Sequence, residues 1–487
     1  MTDRALRLLL QDSRLAELAA YPFDFDVQRA GCGHVEPVRL ASGGSLRIVA
    51  GDAGGGTYFM CEDGSVLYAD SEGSAGLVGA SADEALEIMI GLEDAEDYDD
   101  EDAAALEAAR TELRTALGFP ERPREELEAL LDAALARTEP DFLLLNAEEG
   151  RAYDLIGPPP PPLWEPVLAA GRADLAALRT ADREVRAAVA GNPVRRRIAL
   201  RAAQFDRAEG DLGLLRGLLR QEARSSMTDE LRLATVLVGL HGNVEDLPLL
   251  HEARQTDFDT ACGLSELPGP DAGPAELLSW ARELDDLMFG TDPADEPLYT
   301  WTDLALDQGM TNLARCALIR RLDAIELDQG LLRRTDDPTR LDTSELSALA
   351  HDLERIGEPG QALRAQRLHT ALQETVSDRV SSRLTQARLE RETGQLPAAD
   401  RSLAALRDTL AEPADDSLRF WRGTSLGRYI AEEHYHLALA LADADSAEDA
   451  HALLGAAEAI RGELSESAAW GVRELAERAV RRVRGLS

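Results

Sequence analysis

Apolar residues along the first 20 positions fall at helical spacing. Leu6, Leu9, Leu10, Leu15 and Leu18 lie near helical spacing, which predicts a short amphipathic helix ended by Tyr21-Pro22. The period then changes. Residues 38–70 are rich in glycine and strand formers, and the runs 46–50, 57–61 and 65–69 read as strands. Gly51 to Gly56 reads as the turn between the first two, and Asp63-Gly64 is a hairpin signal before the third. Ser81-Ala82-Asp83-Glu84 has the form of a capping box, so Leu86, Met89 and Ile90 continue as a helix to residue 92. Further helices are expected near 102–117 and 123–137, with one more strand over 142–145. Pro158 to Pro162 is a run of five prolines, stiff and extended, and it marks the clearest boundary in the chain.

Beyond that boundary almost every segment has helical spacing with short Gly, Pro or Asp breaks. In 182–193, Asp182 caps, Val185 and Val189 share a face, and Asn192-Pro193 stops the helix. This unit resembles one copy of a HEAT-like helical repeat. The C-terminal third carries a different unit. The stretches 353–363 and 389–399 each read helix, tight glycine turn, helix, with Gly357 and Gly394 standing 37 residues apart. A third, degenerate turn lies over 439–445, before Ala447-Glu448-Asp449-Ala450. These units resemble tetratricopeptide repeats, whose period is ~34 residues. One helix pair cannot bury its apolar stripe alone, so such pairs stack.

Charge narrows the partners. The chain has 487 residues, 51 basic against 90 acidic, for a net charge of −39. Nucleic acid and anionic membrane surfaces call for a basic face and are disfavoured, whereas a basic protein is steered inward. Every basic residue is arginine; the chain contains no lysine. Phosphate-loop, kinase-strand and Schiff-base lysine chemistries are thereby excluded. No run approaches the ~18 apolar residues of a membrane span, and the start lacks the long apolar stretch of a secretory signal. The expected location is the cytoplasm. Cys32, Cys61, Cys262 and Cys316 are scattered and read as free thiols.

Local chemistry offers little that resembles catalysis. Gly51 to Thr57 is glycine-rich, but a strand rather than a helix follows it, and Asp52 would repel a phosphate. Glu432 and His436 share a helical face, while His434 points ~200° away, and two ligands are too few for a closed zinc site. Cys32, His34 and Cys61 form a second metal candidate. Eight of the ten residues from Glu93 to Asp102 are acidic, without the alternating ligands and central glycine of a calcium loop. No catalytic residue, cofactor or metal is expected.

The order of features over 46–92 carries a resemblance. A strand leads into Gly51-Asp52-Ala53-Gly54-Gly55-Gly56. Tyr58-Phe59-Met60, the Asp63-Gly64 turn and Val66-Leu67-Tyr68 follow, and a helix ends at Leu92. This is similar to the SUKH superfamily, α+β proteins whose bacterial members act as immunity proteins against toxins, often nucleases. Ala30-Gly31-Cys32-Gly33 with Glu36-Pro37 replaces the family's Leu-Pro opening. The resemblance implies a non-enzymatic protein that neutralises a toxin by stoichiometric binding. The alternative is a regulatory or scaffolding adaptor with no toxin partner.

The expected fold is an α+β N-terminal domain followed by an all-α superhelical region, an α-solenoid. Residues 1–92 are the SUKH-like domain, 93–162 an acidic and helical connector ending in the polyproline linker, 163–290 HEAT-like, and 291–487 tetratricopeptide-like. The residues expected to face a basic protein partner, such as a toxin domain, are Asp52, Glu62, Asp63, Asp70, Glu72, Glu93, Asp94, Glu96 and Asp97.

Overall fold

The computed structural model describes residues 4–94, 100–148, 151–157, 160–180, 183–225, 227–332, 343–411 and 418–485. It is 68% helical, with a small N-terminal sheet region, so an α+β unit precedes an α-rich remainder as the sequence predicts. The chain divides into two compact units, Met1–Pro161 and Pro162–Ser487. Among the described residues, no helix is long and apolar enough to cross a membrane.

The first unit opens with α1 (Arg4–Gln11) and α2 (Ser13–Ala20). The apolar spacing predicted one helix here. The chain breaks at Asp12 because its carboxylate accepts from the Arg14 and Leu15 amides and caps the second helix. The strands are β1 (Val38–Leu40), β2 (Leu46–Gly51), β3 (Thr57–Cys61), β4 (Val66–Ala69), β5 (Ser74–Gly79), β6 (Leu144–Asn146) and β7 (Asp154–Leu155). The helices among them are α3 (Ala82–Leu92), α4 (Asp100–Leu117) and α5 (Arg124–Leu135). The main sheet has the order β2-β3-β4-β5-β7. Its first four strands form an antiparallel meander, and β7 lies parallel to β5. Strands β1 and β6 make a separate antiparallel pair.

Alternation along the strands divides the core. Tyr58 and Val66 join Leu6 and Leu9 of α1, Leu86 and Ile90 of α3, and Leu106 and Leu113 of α4. Phe59, Leu67 and Ala69 point the other way, toward Leu40, Leu144 and Ala134. Each of these fully buried large side chains contributes about 1.5–3 kcal/mol. The segment 93–162, expected as a connector, supplies α4, α5, β6 and β7 to this unit. Leu106, Ala109, Leu113 and Leu117 form the stripe that seats α4 on the core. Strand β5 was not anticipated, because half its residues are Gly or Ser. The reason is close packing: a Cβ at Gly76 would stand 2.9 Å from Leu135 Cδ2, and one at Gly79 2.6 Å from the Ala85 nitrogen.

In the second unit, one group of helices runs α6 (Trp164–Thr180), α7 (Arg183–Gly191), α8 (Pro193–Phe205), α9 (Leu212–Glu222) and α10 (Asp229–Gly239). It continues with α11 (Leu247–Arg254), α12 (Phe258–Gly263) and α13 (Pro274–Met288). Asn192 ends α7 and also caps α8, accepting from the Arg195 amide with Pro193 in the first turn. Asp182, expected to cap α7, lies outside the described residues. Hairpins follow: α14 (Leu298–Asp307) with α15 (Thr311–Leu332), and α16 (Thr343–Arg355) with α17 (Pro359–Ala371). Next come α18 (Val376–Glu392) with α19 (Leu396–Ala411), and α20 (Ser425–Asp443) with α21 (Ala447–Glu463). Short α22 (Glu466–Gly471) and α23 (Arg473–Arg484) close the chain.

The four hairpins turn in the same way. Gly309, Gly357, Gly394 and Asp445 take φ of 75°, 84°, 76° and 58°. The next residue's amide reaches back five positions in each: Met310 to Ala305, Glu358 to Leu353, Gln395 to Glu390, Ser446 to Leu441, at 2.7–2.9 Å. Helix α15 packs on α16, α17 on α18, and α19 on α20, so each pair covers the apolar stripe of the next.

Candidate functional site

The acidic residues expected to meet a partner are dispersed by the meander. The β2–β3 and β4–β5 turns lie at one end of the sheet, joined by the Ser71 hydroxyl donating to the Gly54 carbonyl at 3.0 Å. Asp52, Asp70 and Glu72 belong to that end. Glu62 and Asp63 sit in the β3–β4 turn at the other. The five residues of β3 separate them, roughly 17 Å at 3.4 Å per residue.

Several of these carboxylates are occupied by the fold. Asp52 is only 7% exposed. Its Oδ1 accepts from the Gly56 amide at 2.7 Å and its Oδ2 from the Tyr68 hydroxyl at 2.5 Å. Burial, reinforced by that bond, pushes the Tyr68 phenol well above its ordinary range. Asp63 accepts from the Ser65 amide and hydroxyl at 3.0 and 2.6 Å and pairs with Arg137 at 3.3 Å. Asp70 accepts from the Glu72 and Ser74 amides, both at 2.8 Å. Burial raises its pKa, but these amide bonds prevail and hold the carboxyl below its usual range. Asp94 pairs with Arg124 at 3.2 Å, and half-buried Glu93 accepts from Arg110 through its backbone carbonyl. Glu62 and Glu72 face solvent. Glu96 and Asp97 lie outside the described residues.

Two histidines near the metal candidates, His34 and His434, serve as hydrogen-bond links. His34 stands 2.9 Å from the Thr57 hydroxyl at Nδ1 and 2.9 Å from the Tyr153 hydroxyl at Nε2. Tyr153 gives its own proton to Glu36 at 2.6 Å, so its oxygen accepts from Nε2 while Nδ1 accepts from Thr57. Burial lowers the His34 pKa and pushes the Cys61 thiol up to about 11, while Cys32 lies exposed. On α20, His434 is completely buried. Its Nδ1 donates to the Ile430 carbonyl at 2.7 Å and its Nε2 accepts from Arg407 at 2.9 Å. Glu432 lies 3.3 Å from Arg428. Among the described residues, no three His, Cys, Asp or Glu side chains gather as a metal site.

A groove of about 740 Å³ opens in the second unit between α8, α10, α14 and the C-terminal end of α16. Its floor is built from arginines that would read as surface residues in the sequence. Arg201 is 2% exposed. Its guanidinium donates to Glu230 at 3.0 Å and to Gln204 at 3.3 Å, and lies 3.5 Å from Glu296. Glu296 accepts in turn from Gln204 at 2.6 Å. Arg196 and Arg197 both donate to Glu222, at 2.5 and 2.9 Å, and Glu222 is completely buried. At the far wall Arg355 lies 2.5 Å from Asp303 and 3.5 Å from Asp352. Each arginine of the groove thus has a carboxylate partner within the unit, with Arg196 and Arg197 sharing Glu222. Tyr299, Asp229 and Asp307 stand exposed along the rim.

This groove was not expected from sequence. Its residues run from Arg197 to Ile356, and no local spacing joins them. One signal was present: Arg196 and Arg201 sit on the same helix as Ile198 and Leu200 and are buried as deeply. No family model, no curated protein and no solved structure matches the chain.

Proposed function

We propose that this chain is a non-catalytic protein-binding protein whose helical unit receives a segment of another protein in the α8–α10–α14–α16 groove. The observation that carries the reading is the groove itself. It has the volume of a ligand site, opens to solvent, and has walls held rigid by ion pairs that need no ligand to complete them. Stacked helix pairs of the kind that form α14 to α21 present extended surfaces suited to peptide segments, which supports the tetratricopeptide-like reading and an adaptor role. The test places a photo-reactive p-benzoylphenylalanine at position Tyr299 in the full chain and irradiates native cells. The expected result is one dominant protein adduct. Adducts from a control position such as Glu448, with none from Tyr299, would rule the groove out.

A second reading concerns the first unit. Strands β2, β3 and β4 and the later helix α3 follow the order on which the SUKH resemblance rests, with the unanticipated β5 inserted before α3, and Glu62 and Glu72 face solvent beside the turns. These support stoichiometric capture of a basic toxin domain. Neutralising Glu93, Asp94, Glu96 and Asp97 together should then slow association and flatten its salt dependence. Unchanged kinetics would remove the acidic block from that reading.

A further inference from the structure

We propose that the groove of the second unit selects a cationic side chain, an arginine or lysine carried on a basic peptide segment. This rests on the protein-binding reading above and adds the chemistry of the occupant. The sign follows from which charges are already matched. The three guanidiniums that line the groove are each held by carboxylates of the unit: Arg197 by Glu222, Arg201 by Glu230 and Glu296, Arg355 by Asp303 and Asp352. Arg197 shares Glu222 with Arg196, and the remaining charge around it comes from Glu230 and Asp307, so the lining as a whole carries more carboxylates than guanidiniums.

The rim carboxylates are different. Asp307, at the end of α14, is exposed and makes no ion pair within 4 Å among the described residues, although its charge is felt by Arg197 across the groove. Asp229, at the start of α10, has only Arg232 on its own helix at 3.4 Å, and its side chain is 54% exposed. Tyr299 is 47% exposed in the lining, near Asp229, and stands at the opposite end of α14 from Asp307, roughly 12 Å away at 1.5 Å per residue. One entering guanidinium or ammonium would find the Asp229 carboxylate and the Tyr299 ring at one end of the groove, and a second basic side chain of the same segment would find Asp307 at the other. A carboxylate or phosphate would meet only matched arginines and repelling aspartates. The net charge of −39 attracts the same class of partner from a distance.

The experiment must separate this groove from diffuse attraction to an acidic protein. The probe is a fluorescent Ala-Arg-Ala-Arg-Ala peptide, with the citrulline version as its neutral counterpart, titrated onto the full chain at physiological salt. The Arg peptide is expected to bind saturably at one site, and the citrulline peptide to bind at least tenfold more weakly. The double variant Asp229→Asn/Asp307→Asn should lose about tenfold in affinity. Glu62→Gln/Glu72→Gln removes the same charge from the first unit and should lose none. Asp307→Asn alone, which relieves a negative charge at a helix C-terminus, is the arm least able to disturb folding and should lose a few fold. Equal losses in the two double variants, equal binding of the citrulline peptide, or no saturable binding would overturn the proposal. The adduct at Tyr299 keeps the two readings apart. A captured segment without basic residues would sink this inference and leave protein binding standing, whereas no adduct sinks both.

Discussion

Arg201→Met takes one cation out of a site that holds two carboxylates. Glu296 is 9% exposed and Glu230 is partly buried, and both face the Arg201 guanidinium at 2.9–3.5 Å. Methionine fills much of the volume but leaves the two negative charges facing each other in a poorly solvated floor. Removing one partner of a buried pair costs about 3–5 kcal/mol. The unit Pro162–Ser487 has an unfolding entropy of roughly 0.7 kcal/mol/K, from about 2.1 cal/mol/K per residue. The expected fall in Tm is therefore about 4–7 °C, read by calorimetry or circular dichroism. Adding Glu230→Gln and Glu296→Gln removes the stranded charges and should recover more than half of the loss, since a neutral set needs no cation. A single variant that melts within 1 °C of the parent, or a triple variant worse than the single one, would refute the claim that these groups form one mutually neutralised floor.

Other perturbations test the remaining parts. Tyr68→Phe strands one oxygen of buried Asp52 and should cost about 1–3 kcal/mol in urea unfolding; no change would show that the Asp52 clamp is idle. Gly394→Ala forces a side chain onto φ 76° and should destabilise by about 1 kcal/mol, whereas Asp445→Gly relieves φ 58° and should stabilise slightly; effects of the same sign would contradict a shared turn geometry. Burial pushes His434 down to about 4, from an ordinary 6.5, so the unfolded chain takes up a proton in that interval that the folded chain refuses. Its stability contribution is full above pH 6.5 and lost as pH falls toward 4, by roughly 3 kcal/mol. His434→Gln removes the titrating ring while leaving an amide oxygen that can accept from Arg407, and should flatten that slope; an unchanged slope would assign the acid sensitivity elsewhere.

Local signals in the sequence carried far, and long-range ones did not. The turns at Gly357 and Gly394, the Asp63-Gly64 hairpin and the Ser81 cap are each specified within about six residues, and each stands where the pattern placed it. Strand β5 escaped because its glycines answer to Leu135 and Ala85 rather than to strand propensity. The pairing of β7 with β5 joins residues about 80 positions apart, which no periodicity reveals. The acidic residues were read by charge alone. Charge cannot distinguish Asp52 and Asp70, which tie turns together through backbone amides, from Glu62 and Glu72, which face water. The groove was hidden for a related reason: an arginine in a helix reads as surface until its buried carboxylate, often 25 or more residues away, is known.

The structure of the photo-crosslinked complex tests the central claim most directly. Density for the captured protein should run along the groove beside Tyr299, between α8, α10, α14 and the end of α16, with a basic side chain at Asp229 or Asp307. A partner seated only on the Met1–Pro161 unit, with the groove open, would contradict the account.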